Sequence, residues 1–160
     1  MKWWLAISLP LYVLDQLTKY LTQRDIPVNE GFTVIPGFFD LVHVHNTGAA
    51  FGMMSNNNYF FVGLATVALI VLAVLTVREI FKDRLSRIGA ALLVSGVAGN
   101  LTDRLLHGHV VDFLSFTLPW YGPWPAFNVA DSCICVAAGL FVISSFLDGK
   151  RSKVAPSSVV

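Results

Sequence analysis

The sequence predicts an all-α polytopic membrane protein of four transmembrane helices, both termini cytoplasmic, with a small extracytoplasmic β platform in the first outer link. Three observations carry that expectation. Hydrophobic residues are 55% of the 160-residue chain and charged residues only 13%, about half the charged share of a soluble domain. The apolar residues gather into four long runs. Lys and Arg gather in alternate links between those runs. A soluble chain of this size has too much surface to cover with so few charges, which excludes a cytosolic globular enzyme and a disordered chain. A formal net charge of +1 leaves no basic excess to seek phosphates, which excludes a nucleic-acid partner. One domain is expected over 1–150, with outer links at about 22–57 and 107–126 and a disordered cytoplasmic tail at 151–160.

The first span, 3–21, follows Lys2 and carries Asp15, Gln16 and Lys19 in its last third. Its charged start and apolar run mimic a signal peptide, but no small-x-small cleavage site follows, so it reads as a retained anchor. In the outer link after it, 32–35 and 38–44 are β-branched and aromatic around Pro36-Gly37, the pattern of two short strands and a turn. The second span, 59–77, has no charge, and at about 1.5 Å per residue it crosses a core of roughly 30 Å. Arg78, Lys82, Arg84 and Arg87 lead into the third span, 88–106, which carries Asn100, Asp103 and Arg104 near its end. The next link has no Lys or Arg. The fourth span, 127–147, carries Asn128 and Asp131 near its start, and Lys150, Arg151 and Lys153 follow it. The positive-inside rule therefore puts both termini and the middle link in the cytoplasm.

Folded antiparallel, the spans bring Asp15, Lys19, Asn100, Asp103, Arg104, Asn128 and Asp131 to one depth at the outer side, with Asp112 at similar height. Ionisable side chains inside a membrane helix are costly and usually have a task. The inner halves of the spans carry no charge, so the cluster points to a polar pocket at the outer surface and not to an ion path. Each member also has a structural reading. Asp15 and Lys19 form an i,i+4 pair. Asn100 and Asp103 share a stripe with Gly89 and Gly96, where small residues permit close helix approach. Asp103 and Arg104 point about 100° apart, and Arg104 alternatively snorkels to headgroups. Asp131 is placed to cap its helix, and Asp112 to sit in a turn. Against these readings stands a carboxylate dyad of Asp112 and Asp131. Two acids at one site share a proton. The ionised one activates a water, and the protonated one hydrogen-bonds the carbonyl under attack.

Two other constellations compete. His43-Val44-His45 and His107-Gly108-His109 are His-x-His pairs in the outer links. On a strand, His43 and His45 share a face and suit zinc; surface histidines are the alternative. Ser132 follows Asp131 but points about 100° away on a helix, which disfavours serine chemistry. Cys133 and Cys135, two apart in an apolar run, suit inert packing and make no disulfide framework.

The chain resembles the bacterial lipoprotein signal peptidase family, also called signal peptidase II. The resemblance runs from residue 3 to about 146 and rests on five segments in order. They are Asp15-Gln16-Leu17-Thr18-Lys19, Asn46-Thr47-Gly48-Ala49-Ala50-Phe51-Gly52, Gly99-Asn100-Leu101-Thr102-Asp103-Arg104, Val110-Val111-Asp112-Phe113 and Phe127-Asn128-Val129-Ala130-Asp131-Ser132. Each alone is weak; five in order on a four-span frame are specific. The resemblance implies an aspartyl endopeptidase of the bacterial inner membrane, its site facing outward, with Asp112 and Asp131 as the catalytic pair. It implies supporting or substrate-binding roles for Asp15, Lys19, Asn46, Gly99, Asn100, Asp103, Arg104, Asn128 and Ala130. The implied substrate is a prolipoprotein whose lipobox cysteine carries diacylglyceryl, cut just before that cysteine, with membrane lipid as the other partner. No cofactor and no metal are expected, and a monomer is the expected state. The family's outer β-cradle and mobile flanking segment fit residues 31–45 and 107–125. Ser95, Ser115 and Cys133 depart from the family pattern without touching the acid pair.

Overall fold

The computed structural model describes residues 2–48 and 57–154. The Ala49–Gly52 part of the second segment and the tail from 155 onward lie outside the described residues. Four helices form where the four apolar runs stand: α1 (Lys2–Asp25), α2 (Asn58–Val77), α3 (Arg84–His107) and α4 (Val129–Val154). Each runs past its apolar run at one end or both, and α4 starts two residues inside its own, because hydropathy alone does not delimit a helix. Asp83 caps α3 by accepting from the Leu85 and Ser86 N–H groups at 2.9 and 3.0 Å. Gly108 ends α3 at φ 79°, a left-handed conformation that a Cβ would strain. Helix α4 runs four residues into the segment expected to be disordered.

Three of these segments, Asn58–Val77, Arg84–His107 and Val129–Gly149, are long and apolar enough to cross a membrane by length and composition. Helix α1, interrupted by Asp15 and Lys19, is not among them. Helix α3 packs against α1, α2 and α4. Its small residues set the spacing: a Cβ on Gly96 would run into the Ala130 carbonyl oxygen, and one on Gly89 would stand 3.3 Å from that of Ala137. Ser8 Oγ donates to the Ala91 carbonyl at 2.9 Å and ties α1 to the same helix. Large apolar side chains point outward, as Leu5 and Leu9 on α1 and Leu64, Val67 and Ile70 on α2 do. In lipid that outer face costs nothing, and close backbone approach supplies the packing.

The all-α expectation requires correction, since a four-stranded antiparallel sheet caps the bundle. Strands β1 (Gly31–Ile35) and β2 (Phe39–Asn46) form the expected hairpin, turning through Gly37 at φ 71°. The other half of the sheet, β3 (Val110–Leu118) and β4 (Gly122–Pro123), comes from the link between α3 and α4, in order β1-β2-β3-β4. That link therefore holds a strand where a mobile flanking segment was expected. Its signal was present: Leu114, Phe116 and Leu118 alternate with Ser115 and Thr117, the period of a half-buried strand. In the β2–β3 ladder Val44 pairs with Asp112 and Asn46 with Val110. Asp112 thus sits in a strand and not in a turn.

Candidate active site

The sheet and the helices hold their polar residues at a single junction. Asp112 arrives on β3, Asn46 on β2, Asn100 and Asp103 on α3, Asp15 and Lys19 on α1, and Asn128 and Asp131 at the start of α4. A cavity of about 770 Å³ opens there, lined by both Asp112 and Asp131 together with Asn100, Arg104, Phe127 and Trp124.

Asparagine amides connect the two acids. Asn128 Nδ2 donates to Asp112 Oδ1 at 2.8 Å, and Asn46 Nδ2 donates to Asp112 Oδ2 at 2.9 Å. Asn100 Nδ2 donates to Asp131 Oδ1 at 2.7 Å, and Asn128 Nδ2 also reaches Asn100 Oδ1 at 3.2 Å. An amide carries both donors and an acceptor, so it passes alignment from one carboxylate to the next. Asp112 is almost fully buried. Burial, followed by the negative charge of Asp131, pushes its carboxyl up to about 7, against the Asn46 and Asn128 hydrogen bonds that favour ionisation.

Beneath the acids lies a buried ionic layer. Lys19 Nζ stands 2.9 Å from Asp15 Oδ2 and 3.0 Å from Asp103 Oδ2, and it donates to Asn100 Oδ1 at 3.0 Å. The i,i+4 pair is present, and Asp103 pairs with Lys19 and not with its neighbour Arg104. Asp15 Oδ1 accepts the Ala130 N–H at 2.8 Å, and Asp103 Oδ2 accepts the Val111 N–H at 3.0 Å. One carboxylate therefore holds the backbone beside Asp131 and the other holds the backbone beside Asp112. Such a layer survives burial because every charge is paired and hydrogen-bonded.

Two further placements answer the sequence expectations. Arg104 makes contacts within the protein: its Nη2 donates to the Gly48 carbonyl at 2.9 Å and its guanidinium lies 4.8 Å from the Phe61 ring centroid. Gly99 leaves room for the ionic layer, since a Cβ there would stand 2.5 Å from Asp15 Oδ2. Sequence reasoning gave Gln16 no role, yet its Nε2 reaches Asp15 Oδ2, Asp103 Oδ1 and the Gly99 carbonyl at 3.1, 3.1 and 3.3 Å. A polar amide midway through an apolar helix was the available signal. Asn58, whose Nδ2 donates to the Arg104 carbonyl at 3.1 Å, was missed for want of any motif.

Ser132 and His45 also line the cavity, but no hydrogen bond joins them as nucleophile and base among the described residues. Ser132 Oγ donates to the Asn128 carbonyl at 3.0 Å, as a helical serine does. Among the described residues no group of three or more His, Cys, Asp or Glu is arranged to hold a metal ion. Cys133 is buried, and Cys135 lines the cavity as a free thiol.

Comparison with known proteins extends over this whole frame. Residues 7–147 match the family model of signal peptidase (SPase) II. A lipoprotein signal peptidase of Syntrophotalea carbinolica is 44% identical over 152 residues, covering 92% of each chain. One from Neisseria gonorrhoeae is 42% identical over 160 residues, covering 95% of this chain and 93% of its own. A solved structure described as a bacterial membrane enzyme superposes with a TM-score of 0.89 at 29% identity, covering 100% of this chain and 96% of the other.

Proposed function

The chain belongs to the signal peptidase II family, and we propose that it removes signal peptides from lipid-modified prolipoproteins with Asp112 and Asp131 as its catalytic pair. The observation that carries the reading is the shared cavity. Two acids from different elements open onto one space and are joined through Asn128 and Asn100. Membership of a protease family and the apolar helices support a membrane-bound peptidase.

In this reading the pair holds one proton near neutral pH, because burial and mutual repulsion oppose a second charge. The ionised member takes a proton from a water as its oxygen attacks the carbonyl carbon of the scissile amide. The protonated member hydrogen-bonds the carbonyl oxygen while negative charge collects there. The C–N bond then breaks, the amine leaves with a proton from the pair, and one shared proton remains. Asn46, Asn100 and Asn128 aim the carboxyls. Asp15, Lys19 and Asp103 brace the two backbones that carry them.

The remaining features follow from the same reading. All four helices cross the bacterial inner membrane, the excess of Lys and Arg keeps both termini cytoplasmic, and the site opens outward. The cut falls just before a cysteine carrying diacylglyceryl, whose lipid stays in the outer leaflet beside the cavity. The apolar wall of Phe127, Ile134 and Val136 suits the end of a signal segment. The enzyme acts as a monomer and needs only water.

The test uses a diacylglyceryl-modified precursor. Asp112→Asn and Asp131→Asn each abolish its cleavage while the proteins still unfold cooperatively on heating, and EDTA leaves the wild-type rate unchanged. Cleavage by either variant near the wild-type rate overturns the pair. EDTA inhibition reversed by zinc would transfer the chemistry to the histidines.

A further inference from the structure

Two His-x-His segments, one from each of the links that supply the sheet, converge at the end of the β2–β3 ladder. The rings of His45 and His109 stack with centroids 3.7 Å apart, and His107 lies 5.9 Å from His109. None of them bonds to the acid pair. We propose that Nε2 of His43 and Nε2 of His45 form a binding site for a divalent transition-metal ion at the margin of the cavity that Asp112 and Asp131 line, with no ligand drawn from the acid pair.

The tautomers come first. His43 Nδ1 lies 2.7 Å from the Ile26 carbonyl oxygen. A carbonyl only accepts, so this nitrogen carries the proton and Nε2 keeps its lone pair. Metal-bound histidines are oriented by the same kind of outer hydrogen bond. His45 Nε2 stands 3.2 Å from His43 Nε2 and must supply the proton of that contact. A metal ion replaces this proton and bonds to both nitrogens.

Distances agree with such an exchange. With bonds near 2.0 Å, two nitrogens on one ion lie about 2.8 Å apart in a square plane and about 3.3 Å apart in a tetrahedron. The observed 3.2 Å lies between them, so the separation suits one ion once the rings turn to aim both nitrogens at it. The β2–β3 ladder holds His45 opposite Val111, and His43 is buried, so the pair is preorganised. Since no third ligand is arranged among the described residues, water completes the shell, and Cu²⁺ is held most tightly in the Irving–Williams order. His109, whose ring stacks on His45 and whose buried Nε2 has no hydrogen-bond partner among the described residues, is a further donor beside the pair.

The probe is Cu²⁺ added to the tag-free full chain in detergent, read by electron paramagnetic resonance. One equivalent binds with nitrogen hyperfine structure from two imidazoles, and Zn²⁺ competes for it. Losing an outer hydrogen-bond partner costs a metal site about 10–100-fold, and losing a ligand costs more. His45→Phe, which keeps a ring against His109, therefore weakens binding at least about tenfold. Unchanged binding in His45→Phe, absence of nitrogen coupling, or loss only in His107→Gln/His109→Gln overturns the site. Binding is read directly, so its failure leaves the acid-pair reading intact, and failure of the acid pair leaves the metal site intact.

Discussion

Asn128 and Asp131 clasp each other across the first turn of α4. The Asp131 N–H donates to Asn128 Oδ1 at 2.9 Å, and the Asn128 N–H donates back to Asp131 Oδ2 at 3.3 Å. This reciprocal pair is a capping box, and its acid also lines the cavity. The structural and chemical readings of Asp131 are therefore compatible, since one oxygen serves the helix and the other accepts from Asn100.

Asn128→Ala follows directly. It removes a helix cap, which costs about 1 kcal/mol, and it also releases Asp112 Oδ1. Cleavage is expected to fall about 100-fold or more with only a modest drop in unfolding temperature. Paired rate and thermal-unfolding measurements check this, and a normal rate counts against an aligning role.

The acid on β3 sets a pH dependence. The Asp112 pKa is raised to about 7 in the folded chain from 3.8, so the folded state binds more protons between those values. Its contribution to stability is therefore greatest below about 4 and is lost as pH rises through about 7. Asp112→Asn should gain stability relative to wild type above pH 7 and lose that advantage in acid. Thermal unfolding of both proteins across pH 4–9 reads the difference. Wild-type cleavage should likewise decline above about pH 7 as the shared proton leaves.

Lys19→Met leaves Asp15 and Asp103 buried without their cation. Breaking a buried ionic group from one side costs about 3–5 kcal/mol, so severe destabilisation is expected in denaturant titration. An unfolding midpoint near wild type would show that the layer is not held by charge.

Gly96→Ala drives a methyl into the Ala130 carbonyl and should cost about 1–3 kcal/mol. Gly63→Ala on α2 meets nothing within 4 Å and should be neutral or stabilising by up to about 1 kcal/mol. Thermal unfolding of the two side by side separates close helix packing from helix propensity.

The sequence by itself determined the four apolar runs, the first hairpin and the grouping of polar residues at one end. Those properties are local: hydropathy, period and turn chemistry act through each residue's own partition and backbone preferences. Five ordered segments also carried the family. Only the tertiary structure decided that the link between α3 and α4 pairs with the one between α1 and α2, so that Asp112 rides on a strand, and that Asp103 binds Lys19 while Arg104 turns to Gly48 and Phe61. A hydrogen bond needs both ends in place, and its direction is set by residues far away in the chain, as Ala130 N–H on Asp15 shows. Spacing along one helix says which side chains share a face; it does not say what stands opposite.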